Sequence, residues 1–221
     1  MKINSNVLII GAGLLAGLLV GVLVIRSKVL RPSEPPERIR DTSQASRGAE
    51  PPRVRGAVDA PVTLEEFADF QCPPCARFYP ELKKIEAEYG TRLRVVFRHY
   101  PLEMHEHADE AAQAAEAAGA QGRFWEMHDK LYERQDEWSK ASDASSIFTK
   151  YAQELGLDLA RFNKDMESIE VAERIRLDRE RGESIEIDGT PSLFINGREI
   201  ASSARTPEGI RATIDAALKA K

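Results

Sequence analysis

The chain of 221 residues is poor in cysteine and in aromatic residues, and it has fewer basic than acidic residues. Its two cysteines are too few for a scaffold held together by disulfides, which needs several pairs spread along the sequence. A formal net charge of −5 argues against nucleic acid as a partner. Hydrophobic residues at 42% and charged residues at 30% nevertheless suit a globular body. The length predicts one ordinary domain with additional segments.

The run from Val7 to Ile25 contains no charged residue. As a helix it would span roughly 28 Å, close to the hydrocarbon thickness of a bilayer. Arg26, Ser27 and Lys28 follow it, so no small-residue cleavage site is present there. We therefore expect residues 1–26 to be an uncleaved membrane anchor, with a cleaved signal peptide as the alternative.

Two glycine patterns lie inside this run. Gly11, Gly13 and Ala16 fit the dinucleotide fingerprint G-x-G-x-x-G/A. The fit fails on context, because the apolar run simply continues where a Rossmann unit needs an amphipathic helix and a second strand. Gly13, Gly17 and Gly21 also form a stripe that could pack two membrane helices into a homodimer. Glycine is frequent in membrane helices in any case, so both interpretations of the stripe stay open.

Basic residues flank the run on both sides. Lys2 precedes it and Arg26, Lys28 and Arg31 follow it, so the positive-inside rule would place the large domain in the cytoplasm by about one charge. The dithiol chemistry described below favours the opposite side, and on that ground we expect an extracytoplasmic, periplasmic domain. Residues 27–56 carry several prolines among polar residues, which predicts a flexible linker.

Residues 57–221 carry the pattern of an α/β domain. Val62–Asp69 and Arg92–His99 are predicted strands, and Ala76–Tyr89 between them has helical spacing. Pro80 lies inside that helix and should kink it or mark a break.

A block of helices at about residues 103–182 follows the second strand. Asn196 and Gly197 then join two short strands with a type I′ hairpin signature, and a last helix begins at Pro207. The order is β, C-x-x-C, α, β, helices, β-hairpin, α. It predicts a thioredoxin-like α/β fold with an inserted helical domain.

Both cysteines lie in FQCPPCARF, between a predicted strand and a predicted helix. There a C-x-x-C pair is typical of a redox dithiol. A metal site needs more ligands: the sequence has no second C-x-x-C, and His105 and His107 would point to different sides of a helix. We expect neither a metal nor another cofactor. A purely structural disulfide between Cys72 and Cys75 is the remaining alternative.

Cys72 lies just outside the predicted helix and Cys75 lies in its first turn. Free N–H groups and the dipole at a helix N-terminus favour a thiolate, so we predict Cys72 as the exposed attacking cysteine and Cys75 as the resolving one. Pro73 and Pro74 force an extended Cys72 and make Pro74 the first helical residue. Because neither proline has an N–H, the pKa of Cys72 should fall below that of a free thiol only moderately.

Glu66 lies six residues before Cys72, on the apolar face of the first strand. Burial there would raise the pKa of its carboxyl and allow it to exchange a proton with Cys75. The alternative is that Glu66 is solvated at an edge and Glu65 is buried. His99, at the end of the second strand, is expected to be structural rather than catalytic.

The stretches EFADFQCPPC, FRHYPL, AAQAAEAAGAQGRFWEMHDKLY and GTPSLFINGRE resemble, in order and spacing, the membrane-anchored DsbA-type thiol–disulfide oxidoreductases. The resemblance covers roughly residues 57–221. It implies a thioredoxin fold with a helical cap, an acidic residue at position 66, and a cis Thr190–Pro191 bond that presents backbone to an extended substrate. Pro74 departs from the pattern, because the founding member of the family has histidine there. We therefore expect the Cys72–Cys75 couple to be less oxidising than that of the relatives with histidine at this position.

The leading hypothesis is a membrane-tethered oxidase. Its Cys72–Cys75 disulfide would accept electrons from thiols of substrate proteins through a mixed disulfide at Cys72, and a quinone-linked membrane partner would reoxidise it. A reductase or isomerase of the same fold is the first alternative. A non-enzymatic binding module is the second, which the intact C-x-x-C motif and Thr190–Pro191 disfavour.

Overall fold

The computed structural model of the protein describes residues 39–220. The predicted anchor, its glycine stripe and the first part of the predicted linker lie outside these residues. Within residues 39–220, no helix is long and apolar enough to cross a membrane.

The described residues form one five-stranded sheet with helices on both faces. The strands are β1 (Arg53–Gly56), β2 (Val62–Ala68), β3 (Leu93–His99), β4 (Ser192–Ile195) and β5 (Arg198–Glu199). The helices are α1 (Pro73–Tyr89), α2 (Ala108–Gly119), α3 (Phe124–Glu133), α4 (Gln135–Trp138), α5 (Ala144–Glu154), α6 (Leu159–Met166), α7 (Ile169–Ser184) and α8 (Pro207–Lys219). The strand order is β1-β3-β2-β4-β5, with β2 and β3 parallel and the other neighbours antiparallel. Helices α2 to α7 lie between β3 and β4, so the predicted helical insertion is confirmed.

Two apolar clusters hold the helices on one face of the sheet. The first joins α1 and α8 to the strands through Leu64, Ile85, Leu193, Ile210 and Ile214, all nearly inaccessible to solvent. The second contains most of the buried alanines of α2 and the aromatic side chains of α3, and it reaches Cys72 and Cys75. Alanine lets neighbouring helices approach closely, which explains why an alanine-rich helix lies at the centre of the insertion.

Strand β2 is covered on its other face as well. There Phe67 and Phe194 pack with Ile185 and Ile187, which follow α7. A central strand buried on both faces loses the simple alternation between buried and exposed residues.

The linker predicted for residues 27–56 needs a correction for its second half. Arg53–Gly56 is an edge strand paired antiparallel with β3, and residues 39–52 pack against the same domain. Thr42 N donates to the carbonyl of Gly197 at 2.8 Å, and Glu199 N donates to the carbonyl of Arg40 at 3.0 Å. The low hydrophobicity of this segment suggested disorder, but strand pairing and ion pairs hold it in place instead.

A buried ion network fastens this segment to the far face of the sheet. Arg98 at the end of β3 donates to Glu65 Oε1 at 2.8 Å, to Asp178 Oδ1 at 2.9 Å and to the carbonyl of Ala49 at 3.0 Å. Asp178 also accepts from Ala49 N at 2.8 Å, and Glu65 accepts from Arg181 of α7. Buried charges are tolerated when they are paired in this way, and removing one partner leaves the others uncompensated.

Helix α1 differs from its prediction at two points. It begins at Pro73 rather than Pro74, and it runs through Pro80 without ending there. The ring of Pro80 lies on the exposed side, while Tyr79, Leu82 and Ile85 are buried. The buried contacts therefore keep the helix continuous despite the missing N–H.

The network predicts a large cost for removing its central cation. Arg98→Met should lower the free energy of unfolding by about 3–5 kcal/mol, because Glu65 and Asp178 would remain buried with fewer partners. Urea unfolding at neutral pH measures this. Arg176→Met is the matched control. Among the residues that the structure describes, Arg176 pairs only with exposed Glu173 and Glu180, so its substitution should change the free energy of unfolding little. An equal decrease in the free energy of unfolding for Arg98→Met and Arg176→Met would contradict the stabilising role assigned to the buried network.

Candidate active site

Cys72 is the residue that caps the N-terminus of α1. Its backbone is extended, with φ −67° and ψ 120°, as expected for a residue before proline. Cys72 N donates to the carbonyl of Asp69 at 3.1 Å, and the carbonyl of Cys72 accepts from Ala76 N at 3.1 Å. Pro73 then occupies the first helical position, and Cys75 lies in the first turn. The two sulfurs are thus placed at the positive end of the helix dipole.

The Thr190–Pro191 loop covers Cys72 from the side opposite the helix. The bond between Thr190 and Pro191 is cis, as the resemblance implied. Cys72 Sγ lies 3.3 Å from the carbonyl oxygen of Thr190, to which the thiol can donate. Cys72 is only 4% exposed, less than predicted, because this loop lies over it, although Pro73 and Pro74 beside it are exposed.

The two cysteines differ strongly in acidity. The pKa of Cys72 falls to about 6, chiefly because the thiol of Cys75 donates a hydrogen bond to it, with further help from the side chain of Thr190 and the backbone of Cys75. Burial and the carboxylate of Asp69 oppose this fall in the pKa of Cys72. The pKa of Cys75 is raised well above its usual value, first by burial and then by the neighbouring Cys72 sulfur. One thiolate beside one neutral thiol is the asymmetry that disulfide exchange requires.

Glu66 lies on β2, beneath the dithiol, and is 2% exposed. Burial is the main cause that raises the pKa of Glu66 to about 8; Glu86 adds to it and Arg55 opposes it. No hydrogen bond contributes to the shift in the pKa of Glu66. Glu65, the alternative candidate, is also buried, but it faces the far side of the sheet and is paired with Arg98 and Arg181. Both carboxylates are buried because both faces of β2 are covered.

The structure adds residues that the sequence did not single out. The carboxylate of Asp69 accepts hydrogen bonds from Gln71 N at 2.7 Å and Leu102 N at 3.0 Å, and it contacts His105 Nδ1. Gln135 Nε2 donates to the carbonyl of Cys72 at 3.3 Å. These bonds tie the loop after β3 and the start of α4 to the turn before Cys72. Only the short sequence distance between Asp69 and Cys72 hinted at this role.

The histidines considered as metal ligands have other partners. His105 and His107 precede α2 instead of lying within it, and His107 Nε2 lies 2.8 Å from the carbonyl of Ala141. No group of three side chains within residues 39–220 is arranged to hold a metal ion. His99 is 1% exposed and lies 3.0 Å from Glu116 Oε1, in the inserted domain.

Residues 49–216 match a protein family described as thioredoxin. The chain belongs to the thioredoxin family. The matched range begins within the segment that had been predicted as linker, in agreement with the position of β1. The thioredoxin-like fold class predicted from the sequence is confirmed.

Similar solved structures identify this thioredoxin as one of the DsbA type. A thioredoxin-like oxidoreductase from Silicibacter pomeroyi is 28% identical, with a TM-score of 0.64, over 77% of this chain and 94% of that one. BdbD from Bacillus subtilis, in its oxidised form, is 25% identical, with a TM-score of 0.65, over 80% of this chain and 100% of that one. DsbA2 from Pseudomonas aeruginosa is 26% identical, with a TM-score of 0.59. The predicted identity as a DsbA-type thiol–disulfide oxidoreductase is confirmed.

Curated relatives are similar to this thioredoxin over part of their length. Na(+)/H(+) antiporter NhaA 3 of Salinispora tropica is 44% identical over 146 residues, which cover 66% of this chain and 22% of the relative. Na(+)/H(+) antiporter NhaA 1 of Mycolicibacterium gilvum is 39% identical over 176 residues, which cover 77% of this chain and 25% of the relative. The chain thus matches about a quarter of the length of these relatives.

The unpaired carboxyl of Glu66 gives a prediction about stability and pH. Because the folded state holds the pKa of Glu66 near 8, above the usual 4.5, stability from this group is complete below pH 4.5 and is lost as the pH rises through 8. Glu66→Gln cannot ionise, so it should be more stable than the wild-type protein above pH 8, by roughly 3–5 kcal/mol. Urea unfolding of the reduced protein across this pH range measures the difference.

Glu65→Gln is the matched control for that experiment. Glu65 is paired with Arg98 and Arg181, so its substitution should destabilise the protein at neutral and alkaline pH. A destabilising effect of Glu66→Gln at alkaline pH would contradict the assignment of an unpaired buried acid.

Proposed function

We propose that this thioredoxin is an extracytoplasmic oxidase that introduces disulfides into substrate proteins. The observation that carries the proposal is the contrast between the lowered pKa of Cys72 and the raised pKa of Cys75. A stabilised thiolate favours the reduced form of the enzyme, so the enzyme's disulfide tends to accept electrons. Cys72 also adjoins the exposed Pro73 and Pro74, where a substrate can approach.

The reaction proceeds in two exchanges. A substrate thiolate attacks Cys72 Sγ, which breaks the Cys72–Cys75 bond and forms a mixed disulfide at Cys72. The departing sulfur of Cys75 takes a proton from Glu66, because burial raises the pKa of Cys75 well above its usual value while the pKa of Glu66 is about 8. A second substrate thiolate then attacks the substrate sulfur of the mixed disulfide, and Cys72 leaves as a thiolate. The substrate has lost two electrons and the enzyme has gained them.

The loop at Thr190–Pro191 supplies the surface for the substrate backbone. The carbonyl of Thr190 lies beside Cys72 Sγ, and an extended peptide lying along this loop would bring its own sulfur to Cys72. The buried hydroxyl of Thr190 is a donor for the Cys72 thiolate.

The proposal places the domain outside the cytoplasm on the membrane anchor at residues 1–26. The uncharged run from Val7 to Ile25 supports the anchor, and a low-pKa dithiol without other thiols in the chain supports an oxidising compartment. Reoxidation then requires a membrane partner linked to quinones. Gly13, Gly17 and Gly21 offer a contact for a homodimer within the membrane.

Trapping of the mixed disulfide tests the enzymatic step. Cys75→Ser should accumulate mixed disulfides with a cysteine-containing substrate protein, since no resolving thiol remains, whereas Cys72→Ser should accumulate almost none. Non-reducing electrophoresis and mass spectrometry of the linked peptides measure this. Trapping at Cys75 instead of Cys72 would reverse the assigned roles.

Direction and location require separate measurements. Equilibration of the Cys72–Cys75 pair with glutathione gives its potential, and a value near that of reducing thioredoxins would favour the reductase alternative. In intact cells, a maleimide that cannot cross membranes should label Cys72 of the reduced protein. Labelling only after lysis would place the domain in the cytoplasm.

A further inference from the structure

Two buried polar atoms above the sheet have no hydrogen-bond partner within residues 39–220. They are Nε2 of His128 and Nη2 of Arg55. Glu66, which is 2% exposed on the same side of the sheet, has no hydrogen bond among the causes of its pKa shift. Buried polar groups are nearly always paired in native proteins, so the two unpartnered atoms near this carboxyl call for an explanation.

The three side chains share one face of the sheet. Glu66 on β2 is in register with Phe97 on β3, and the His128 ring from α3 packs edge-on against Phe97 with centroids 5.0 Å apart. Arg55 on β1 lies on the same face, since β1 is in register with β3 and alternate strand residues point to one side. Its guanidinium stacks on Trp125, whose ring centroid is 4.9 Å from that of His128.

His128 offers a hydrogen-bond acceptor to this region. Its Nδ1 lies 2.8 Å from Asp129 Oδ1, a carboxylate also held by Arg55 and Lys83, so Nδ1 is the nitrogen that carries the hydrogen. Nε2 of His128 then carries no hydrogen, and its lone pair can accept a hydrogen bond. Burial lowers the pKa of His128 to about 4, so the ring is neutral at neutral pH.

Arg55 offers a hydrogen-bond donor to the same region. Its Nε donates to Glu86 Oε1 at 2.9 Å and its Nη1 to Asp129 Oδ1 at 2.7 Å, which leaves Nη2 with hydrogens and no acceptor. A guanidinium keeps its charge in proteins and matches a carboxylate. The other ionisable groups on this face include Cys75 and Tyr79 of α1, Tyr132 of α3 and His99 of β3.

We propose that Glu66 changes its hydrogen-bond partner when it changes its protonation state. The protonated carboxyl donates to Nε2 of His128, and the carboxylate accepts from Nη2 of Arg55. His128 and Arg55 are therefore positioning residues, which act on the cysteines only through Glu66. The inference rests on the proposed function, in which Glu66 is the proton partner of Cys75.

The exchange of partners follows the catalytic cycle. When a substrate thiolate opens the Cys72–Cys75 disulfide, Cys75 takes the proton of Glu66, and the carboxylate turns to Arg55. On reoxidation, the Cys72 thiolate attacks a disulfide of the partner protein and releases one partner thiolate. Cys75 then returns its proton to Glu66 and attacks Cys72, which releases the second partner thiolate. The protonated carboxyl turns back to His128, so Glu66 neither gains nor loses a proton over the cycle.

Opposite shifts in the titration of Glu66 test this proposal. His128→Phe keeps a ring but removes the acceptor for the protonated form, so the midpoint should move down by about one pH unit. Arg55→Met keeps a stem that can pack on Trp125 but removes the donor for the carboxylate, so the midpoint should move up by a similar amount. Carbon-13 NMR of the glutamate carboxyls measures both, with Glu65 as an internal reference on the other face of the sheet.

Shifts in the same direction, or no shift with His128→Phe, would overturn the proposal, because the lost charge of Arg55 alone raises the midpoint, whereas only the lost acceptor lowers it. His128→Gln restores an acceptor and should return the midpoint towards the wild-type value. Infrared difference spectra of the wild-type protein cover the case in which these variants do not fold. The carboxyl C=O stretch should be that of a hydrogen-bonded acid in the oxidised form, and a free-acid band would contradict the contact with His128.

The titration needs no enzymatic turnover, so its result is independent of the proposed oxidase activity. A wild-type protein without disulfide exchange, but with opposite shifts in the two variants, would refute the proposed function and retain the switch. Normal exchange without the shifts would refute the switch and retain the function.

Discussion

The site depends on the backbone constraint that Pro73 imposes on Cys72. A residue before proline is held extended, and the proline then starts the helix without needing its missing N–H. Cys72 therefore stands at the mouth of α1, and Cys75 enters the apolar cluster one turn later. The difference in pKa between the two sulfurs follows from this placement, since Cys72 accepts a hydrogen bond from the Cys75 thiol, whereas burial raises the pKa of Cys75.

The double coverage of β2 determines the rest of the electrostatics. Glu65 and Glu66 are adjacent on this strand, point to opposite faces, and are both buried. The far face provides Arg98 and Arg181, so Glu65 is paired and structural there. The near face leaves Glu66 unpaired below the dithiol. The same residue type thus has two roles, and what differs is the helix that covers each face.

The order of elements and the place of the dithiol could be predicted from the sequence because they depend on local signals. The hydrophobic period of an element, the Asn196–Gly197 turn and the Pro73–Pro74 pair each act on the backbone within a few residues of their own position. The packing of residues 39–56 could not be predicted this way, because its partners, such as Glu199 and Asp178, are more than a hundred residues away. The role of His128 could not be predicted either, because its unpartnered Nε2 gains a function only from its position near Glu66, which is distant in sequence. Burial of Cys72 under the Thr190 loop is another contact that the sequence alone does not reveal.

The packing of residues 39–56 against the sheet and helices determines where the folding unit begins. Buried Glu116 of α2 accepts hydrogen bonds from Arg53 of β1 and from Arg174 of α7, and buried Glu199 pairs with Arg40. A chain cut at residue 57 would leave these carboxylates with fewer cations and would expose one edge of β3 to other strands. Fragments that retain residues 39–56 should therefore be soluble and monodisperse, while shorter ones invite pairing between exposed strand edges.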